Sequence, residues 1–186
     1  MAQSKIGQSI TVENVVVSTG VSQELDLEEL STDLVGADYV PDNFPGLIYR
    51  TPDPHATSLI FRSGKIVCTG ADSTADAREC VDIVTSKLED LGIDIEVDPV
   101  IVQNIVASGD LGESLNLNAI AIGLGLESVE YEPEQFPGLV YRMDEPDAVI
   151  LLFGSGKCVI TGTKDTDTSV NALKTISEEL ESLGLR

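Results

Sequence analysis

Residues 44–70 read FPGLIYRTPDPHATSLIFRSGKIVCTG, and residues 136–162 read FPGLVYRMDEPDAVILLFGSGKCVITG. The stretches lie 92 positions apart and agree at 16 of 27 positions. The match extends upstream at an offset of 90, where VENVV (12–16) aligns with VQNIV (102–106) and LDL (25–27) with LNL (115–117). It extends downstream at 92, where LEDLG (88–92) aligns with LESLG (180–184), so a two-residue insertion lies between Ile120 and Phe136. The chain is one unit written twice, with expected domains 1–94 and 95–186. Two copies are too few for a solenoid; they predict a pseudo-twofold body, equivalent to a dimer fused into one chain.

Each copy has the same local grammar. A β-branched strand comes first (9–18; 100–108), then a short helix with leucines at helical spacing in the first copy, Leu27, Leu30 and Leu34. Several strands follow, with Ser63-Gly64-Lys65 and Ser155-Gly156-Lys157 as tight hairpin turns. A longer helix closes the copy. In the first copy Ser73-x-x-Asp76 resembles a capping box, Ala77, Val81, Val84, Leu88 and Leu91 form the apolar face, and Gly92 ends it. In the second, Val170, Leu173, Ile176, Leu180 and Leu183 line one face and Gly184 stops it. The expected fold class is α+β, two tandem β-α-β4-α repeats with antiparallel sheet.

Helices can cover only one face of such a sheet, and the other face should then alternate to polar residues. It does not. Leu59 and Phe61 share one face while Ile60 points to the other, and 148–153 (AVILLF) is apolar on both. Val67 and Thr69, or Val159 and Thr161, continue one face. A second apolar face needs a covering: a sandwich, a second copy, or a ligand. All four phenylalanines of the chain are repeat-matched, Phe44 with Phe136 and Phe61 with Phe153. Paired apolar wedges at the ends of a surface are what prying base steps apart requires.

Charge narrows the function classes. The 186 residues carry 32 Asp+Glu and 11 Lys+Arg, net −21. A uniform charge of that size would repel nucleic acid, membranes and acidic substrates. The acids are excluded, however, from six windows (14–23, 44–52, 54–71, 99–109, 135–143, 148–164). These 74 residues hold six of the eleven bases, Arg50, Arg62, Lys65, Arg142, Lys157 and Lys164, and sum to +6 against −27 elsewhere. The pattern is that of one cleaned surface for a polyanion on an acidic body. The acidic coat points to a cytoplasm of high salt, where the Debye length shrinks to ~3 Å at 1 M. The one histidine, His55, leaves no His-rich metal site, and neither a metal nor a cofactor is expected. The three cysteines, Cys68, Cys80 and Cys158, form no CxxC and read as reduced thiols. The longest apolar run is 148–153, well under the ~20 residues of a membrane span, and 1–9 has no apolar signal region. With 32 carboxylates, acid pairs arise by chance, and Gly123-x-Gly125 lacks a dinucleotide-site context, so no catalytic residue is assigned. The alternative to a nucleic-acid binder is a non-catalytic scaffold or ligand-binding protein using the apolar sheet face.

QNIV (103–106), LDL (25–27), YEPEQFPGLVYR (131–142), LIFRSGKIVCTG (59–70) and LLFGSGKCVITG (151–162) together resemble the TATA-binding protein family, in its archaeal and haloarchaeal form. The resemblance covers the chain from about Ile10 to Leu185. It implies a saddle of ten curved antiparallel strands with four helices on the convex face, sitting on the DNA minor groove. This family is itself the type example of minor-groove kinking by apolar wedges. Carried over by motif, Phe44 with Phe61 and Phe136 with Phe153 are the intercalating pairs. Asn14 and Asn104 donate to base acceptors. Val16, Val106, Leu59, Leu151, Val67 and Val159 make an apolar floor with Thr69 and Thr161 at its centre. Arg50, Arg142, Lys65 and Lys157 hold phosphates, helped by Ser63 and Ser155. Glu132 and Glu134 match the family surface that meets transcription factor B.

The resemblance therefore implies a general transcription factor, not an enzyme. It would bind the TATA element and recruit transcription factor B and through it RNA polymerase; the apolar sheet face also allows a homodimer when free of DNA. Its place would be the cytoplasm, at the nucleoid, of an archaeal cell with high internal salt. Three departures stand out. His55 and Asp147 occupy positions where a rim lysine is common in the family. Gly154 stands where the first copy has Arg62. The first long helix is acidic (Asp76, Glu79, Asp82, Glu89, Asp90) where eukaryotic relatives are basic, so a partner that reads a basic helix is not expected.

Overall fold

The computed structural model describes residues 9–186, which gather into two compact units. One is Glu13–Gln103; the other is Asn104–Arg186 with residues 9–12. In the first run β1 (Thr11–Gly20, entering from the boundary), α1 (Leu27–Asp33), β2 (Ala37–Asp38), β3 (Leu47–Pro52), β4 (His55–Ile60), β5 (Lys65–Ala71) and α2 (Thr74–Asp90). In the second run β6 (Ile101–Asp110), α3 (Leu117–Leu124), β7 (Val129–Glu130), β8 (Leu139–Met143), β9 (Ala148–Leu152), β10 (Lys157–Thr163) and α4 (Thr166–Ser182). Strand order is β2-β3-β4-β5-β1 in the first unit and β6-β10-β9-β8-β7 in the second, antiparallel within each. The described residues thus hold ten strands and four helices in two tandem β-α-β4-α repeats, as the duplicated grammar requires.

Helix starts follow side-chain caps. Asp26 accepts the Glu28 and Glu29 N–H at 3.0 and 3.1 Å, and Asn116 accepts the Ala119 N–H at 3.1 Å. At α2 the N-cap half of the expected capping box is present: Ser73 Oγ accepts the Asp76 N–H at 3.0 Å, while the Asp76 carboxylate accepts the Ser73 hydroxyl at 2.7 Å in place of its backbone N–H. Asp165 caps α4 by accepting the Thr168 N–H at 2.7 Å, which holds its carboxyl below the usual aspartate range. Each cap satisfies an orphan donor and places an acceptor at the positive end of the helix.

Each unit has its own core between its helices and one sheet face. Leu27 and Leu30 from α1, its C-cap residue Leu34, and Val84 and Leu88 from α2 pack with Leu47, Ile60 and Ile66. Ile120 from α3 and Leu173, Ile176 and Leu180 from α4 pack with Leu139, Ile150, Leu152 and Ile160. Burying one such side chain contributes about 1.5–3 kcal/mol. Three expected core positions are corrected: Leu91, Val170 and Leu183 are exposed. Leu91 and Leu183 are C-cap residues, past the last turn that faces the core. The inward position in the first turn of α4 is Ser169, whose hydroxyl meets that of Thr163 at 2.6 Å, which turns Val170 outward.

Candidate nucleic-acid interface

The sheet alternation decides which residues face away from the helices. In β4, Ala56, Ser58 and Ile60 are buried while Thr57 and Leu59 are half-exposed. In β9, Ala148, Ile150 and Leu152 are buried while Val149 and Leu151 are half-exposed. The same period puts Lys65, Val67 and Thr69 of β5, and Lys157, Val159 and Thr161 of β10, on the outer face. Asn14 and Val16 on β1, and Asn104 and Val106 on β6, join them. Arg50 and Arg142 are exposed on this face of β3 and β8. Ser63 and Ser155 are exposed in the hairpin turns beside Lys65 and Lys157. Cross-strand registers tie the floor together within each unit: Leu59 opposes Val67, Leu151 opposes Val159, and Thr161 opposes Val149.

The phenylalanines come together in pairs, one pair per unit. Phe44 and Phe61 have ring centroids 5.8 Å apart at 62°; Phe136 and Phe153 are 5.8 Å apart at 71°. Both are edge-to-face contacts of the kind aromatic quadrupoles favour. None of the four is in the core; Phe136 is 38% exposed. What makes room for each pair is a glycine. A Cβ on Gly46 would meet Phe44 Cε1 at 2.7 Å and Phe61 Cε1 at 3.0 Å. On Gly138 it would meet Phe136 Cε1 at 2.7 Å and Phe153 Cε1 at 3.0 Å. The repeated FPG triplets carried that signal, since the glycine sits two residues after the first ring of each pair. Ile48 and Val140 also lie half-exposed on the outer face; their alternation with buried Leu47 and Tyr49, or Leu139 and Tyr141, was legible but not used.

The asparagines are held firmly. Asn14 Oδ1 accepts the Gly70 N–H at 2.7 Å, and its Nδ2 donates to Thr69 Oγ1 at 3.3 Å. Asn104 Oδ1 accepts the Gly162 N–H at 2.8 Å, and its Nδ2 donates to Thr161 Oγ1 at 3.0 Å. The rim bases differ. Arg142 donates from Nε and Nη2 to Glu130 Oε1 at 3.2 and 3.1 Å, an exposed pair of small energetic weight. The acidic Glu132 and Glu134 are exposed in the loop before Phe136.

Reactive chemistry has little to work with. All three cysteines are free and buried. Burial pushes the Cys158 thiol up to about 11. Cys68 is pushed up by its hydrogen bond with Cys80 and then by burial. The same bond, with those from Ser58 and Thr51, pulls Cys80 down, but its sulfur is sealed in the core. Among the described residues no three His, Cys, Asp or Glu are placed to hold a metal ion. No helix there is long and apolar enough to cross a membrane.

Residues 9–91 and 99–183 each match the family model described as transcription factor TFIID, or TATA-binding protein (TBP). A TATA-box-binding protein of Haloarcula marismortui is 65% identical over 179 residues, covering 96% of each chain. TATA-box-binding protein 2 of Haloferax volcanii is 65% identical over 95% of this chain and 96% of its own. The solved structure of Methanococcus jannaschii TBP aligns with a TM-score of 0.82 at 47% identity, over 94% of this chain and 99% of that one. Two tandem family matches, full-length relatives from halophilic archaea and this fold lead to one conclusion: the chain belongs to the TATA-binding protein family.

Proposed function

We propose that this protein is a general transcription factor, not an enzyme, that seats the outer sheet face of each unit in the minor groove of a TATA element. The observation that carries the reading is the pair of half-exposed phenylalanines in each unit, kept out of the core at the edge of an apolar, carboxylate-poor face. In this reading Phe44 with Phe61, and Phe136 with Phe153, wedge between base steps and kink the duplex. Unstacking costs a few kcal/mol per step and is offset by the added surface contact. Leu59, Val67 and Val16, with Leu151, Val159 and Val106, form the floor against the groove. A floor of methyl groups accepts A·T pairs, whereas the guanine N2 amino group would project into it without a partner. The flexibility of TA steps lowers the bending cost further. Thr69 and Thr161, with Asn14 and Asn104, supply the polar contacts. Arg50, Arg142, Lys65 and Lys157 meet phosphates with Ser63 and Ser155 beside them; Arg142 must first leave Glu130.

A fluorescence anisotropy titration tests this. The expected result is binding to a TATA duplex at least about 1,000-fold tighter than to a G·C duplex of equal length, the lower end of the usual specificity range. The slope against KCl is expected to be flat or reversed. Ordinary binders lose about 0.9 log of affinity per log of salt for each neutralised phosphate. Here cations also screen the repulsion of a −21 body, and few bases face the backbone. Equal affinity for both duplexes overturns the TATA reading; a steep ordinary loss with KCl overturns the charge argument.

The same reading takes 1–94 and 95–186 as the functional repeats, the cytoplasmic nucleoid as the site of action, and a homodimer as the DNA-free form. It assigns transcription factor B to the loop bearing Glu132 and Glu134, with RNA polymerase recruited through it. The double variant Glu132→Lys, Glu134→Lys is expected to lose capture of transcription factor B on a TATA duplex by about tenfold while keeping DNA affinity. Unchanged capture removes these two residues from that role.

A further inference from the structure

The hydrogen bonds of the two asparagines carry an inference that rests on the minor-groove reading and deepens it. In β5 the ladder to β1 slips: Val17 opposes Cys68 but Val15 opposes Ala71, so Thr69 and Gly70 together face Val16. In β10, Ile160 opposes Ala107 and Thr163 opposes Ile105, so Thr161 and Gly162 face Val106. A bulge of this type leaves one residue outside the ladder pairing. That residue's N–H is the one each asparagine accepts, Gly70 for Asn14 and Gly162 for Asn104. The glycines sit at φ +88° and +84°, a region costly for other residues. Space is not the reason for glycine: a Cβ would find its nearest neighbours at 3.9 Å on Gly70 and 3.7 Å on Gly162.

A carboxamide has a donor end and an acceptor end, and either can face outward. The threonine hydroxyl does not choose, because it donates or accepts equally well. It lies near both amide atoms, 3.3 and 3.5 Å from Nδ2 and Oδ1 of Asn14 and 3.0 and 3.3 Å from those of Asn104. The glycine N–H does choose. Flipping either amide would set Nδ2 against a backbone donor. With Oδ1 anchored on glycine, one N–H of Nδ2 goes to threonine and the second has no protein partner among the described residues.

We infer that Gly70 and Gly162 are specificity-determining positioning residues: their bulge N–H groups lock Asn14 and Asn104 as hydrogen-bond donors toward the groove. A locked donor suits adenine N3 and thymine O2 and opposes the guanine N2 amino donor. An unlocked amide turns Oδ1 outward and accepts from that amino group. The base preference at the asparagine contacts is therefore set by a backbone N–H that never touches DNA.

The test measures the ratio of affinities for a TATA duplex and for duplexes carrying one G·C pair at each position in turn. In Gly70→Ala, Gly162→Ala, alanine resists the left-handed φ and the bulge N–H rotates away. The ratio at the asparagine-contacted positions is expected to fall about tenfold and to hold elsewhere. Gly70→Asn, Gly162→Asn is expected to restore it, since asparagine tolerates that φ. A loss of affinity equal on all duplexes, or a ratio within about twofold of the parent, overturns the inference. Should the alanine variant fail to fold, Asn14→Asp, Asn104→Asp decides. It keeps the glycine bond but offers only acceptors, and an undiminished ratio at those positions overturns the lock. A parent protein with no TATA preference instead defeats the minor-groove reading itself.

Discussion

Replacing Phe136 and Phe153 together by alanine is expected to cost about 100-fold in affinity for a TATA duplex, nearly 3 kcal/mol, and to straighten the bound DNA. The two rings form one edge-to-face pair over Gly138, so either alone loses its support when the other is cut. The fold should tolerate the change. Phe136 is 38% exposed and Phe153 is half-exposed, and the core beneath them, Leu139, Ile150 and Leu152, is closed without them. A partly exposed ring contributes less than the 1.5–3 kcal/mol of a buried one. About 1 kcal/mol per ring therefore gives a Tm drop of roughly 4–8 °C for the pair, at 2–4 °C per kcal/mol for a chain of this size. Affinity is read by anisotropy and bending by energy transfer between dyes at the duplex ends. A double variant that stays folded and binds within about threefold of the parent, with the bend intact, removes the wedge from the mechanism. The matching variant Phe44→Ala, Phe61→Ala tests the same device in the other unit.

The largest stability effect is expected from a buried hairpin glycine. Gly156, in the β9–β10 hairpin, has φ +90° and lies directly against the Glu113 backbone; an added Cβ would run onto the Glu113 carbonyl oxygen. Backbone hydrogen bonds stitch hairpin and loop together, from Leu111 N–H to the Gly156 carbonyl and from Leu115 N–H to the Gly154 carbonyl, both 2.9 Å. The loop cannot step aside without breaking them. On its equivalent, Gly64, an added Cβ would meet the carbonyl oxygens of Gln23 and Val21 at 2.5 and 2.6 Å. Left-handed strain of about 1–2 kcal/mol and overpacking of about 1–3 kcal/mol give Gly156→Ala a loss of roughly 3–4 kcal/mol. That corresponds to about 10 °C in Tm by circular dichroism. Gly154→Ala is the control: its nearest neighbour would be Leu115 O at 3.8 Å, and its φ is not left-handed, so it should melt within about 2 °C of the parent. A Gly156→Ala protein as stable as that control refutes the packing argument.

Most of the architecture is legible in the amino-acid sequence. Duplication is a fact of the string, and two-residue alternation in TSLIF and AVILLF forces one apolar set inward and another outward, whatever the surroundings. Helix starts were legible where the signal is local, as at Ser73 and Asp76, because a cap is satisfied within three residues. The helix stops were legible too, since Gly92 and Gly184 follow the C-caps at φ +84° and +67°; which of the last apolar residues faces the core was not. Leu91 and Leu183 continue the apolar spacing but fall past the turn where the backbone leaves the core, and no periodicity records where a helix stops facing its sheet. The candidate site divides the same way. Alternation set Leu59, Val67, Thr69, Val159 and Thr161 on one face, Asn14, Asn104, Val16 and Val106 came from the family resemblance, and how they are held followed from neither.

The amino-acid order by itself determined the two repeats, the α+β class, the unburied phenylalanines and the acid-free windows, because each depends on neighbours a few positions away or on exact repetition. Tertiary structure alone decided the rest. The Gly70 and Gly162 N–H groups meet asparagines 56 and 58 residues distant, and Arg142 is drawn to Glu130. The Arg186 guanidinium, 3% exposed, reaches Glu113, Ser177 and the Leu111 carbonyl. Such contacts join residues that chain distance separates and only the packed sheet brings within hydrogen-bond range.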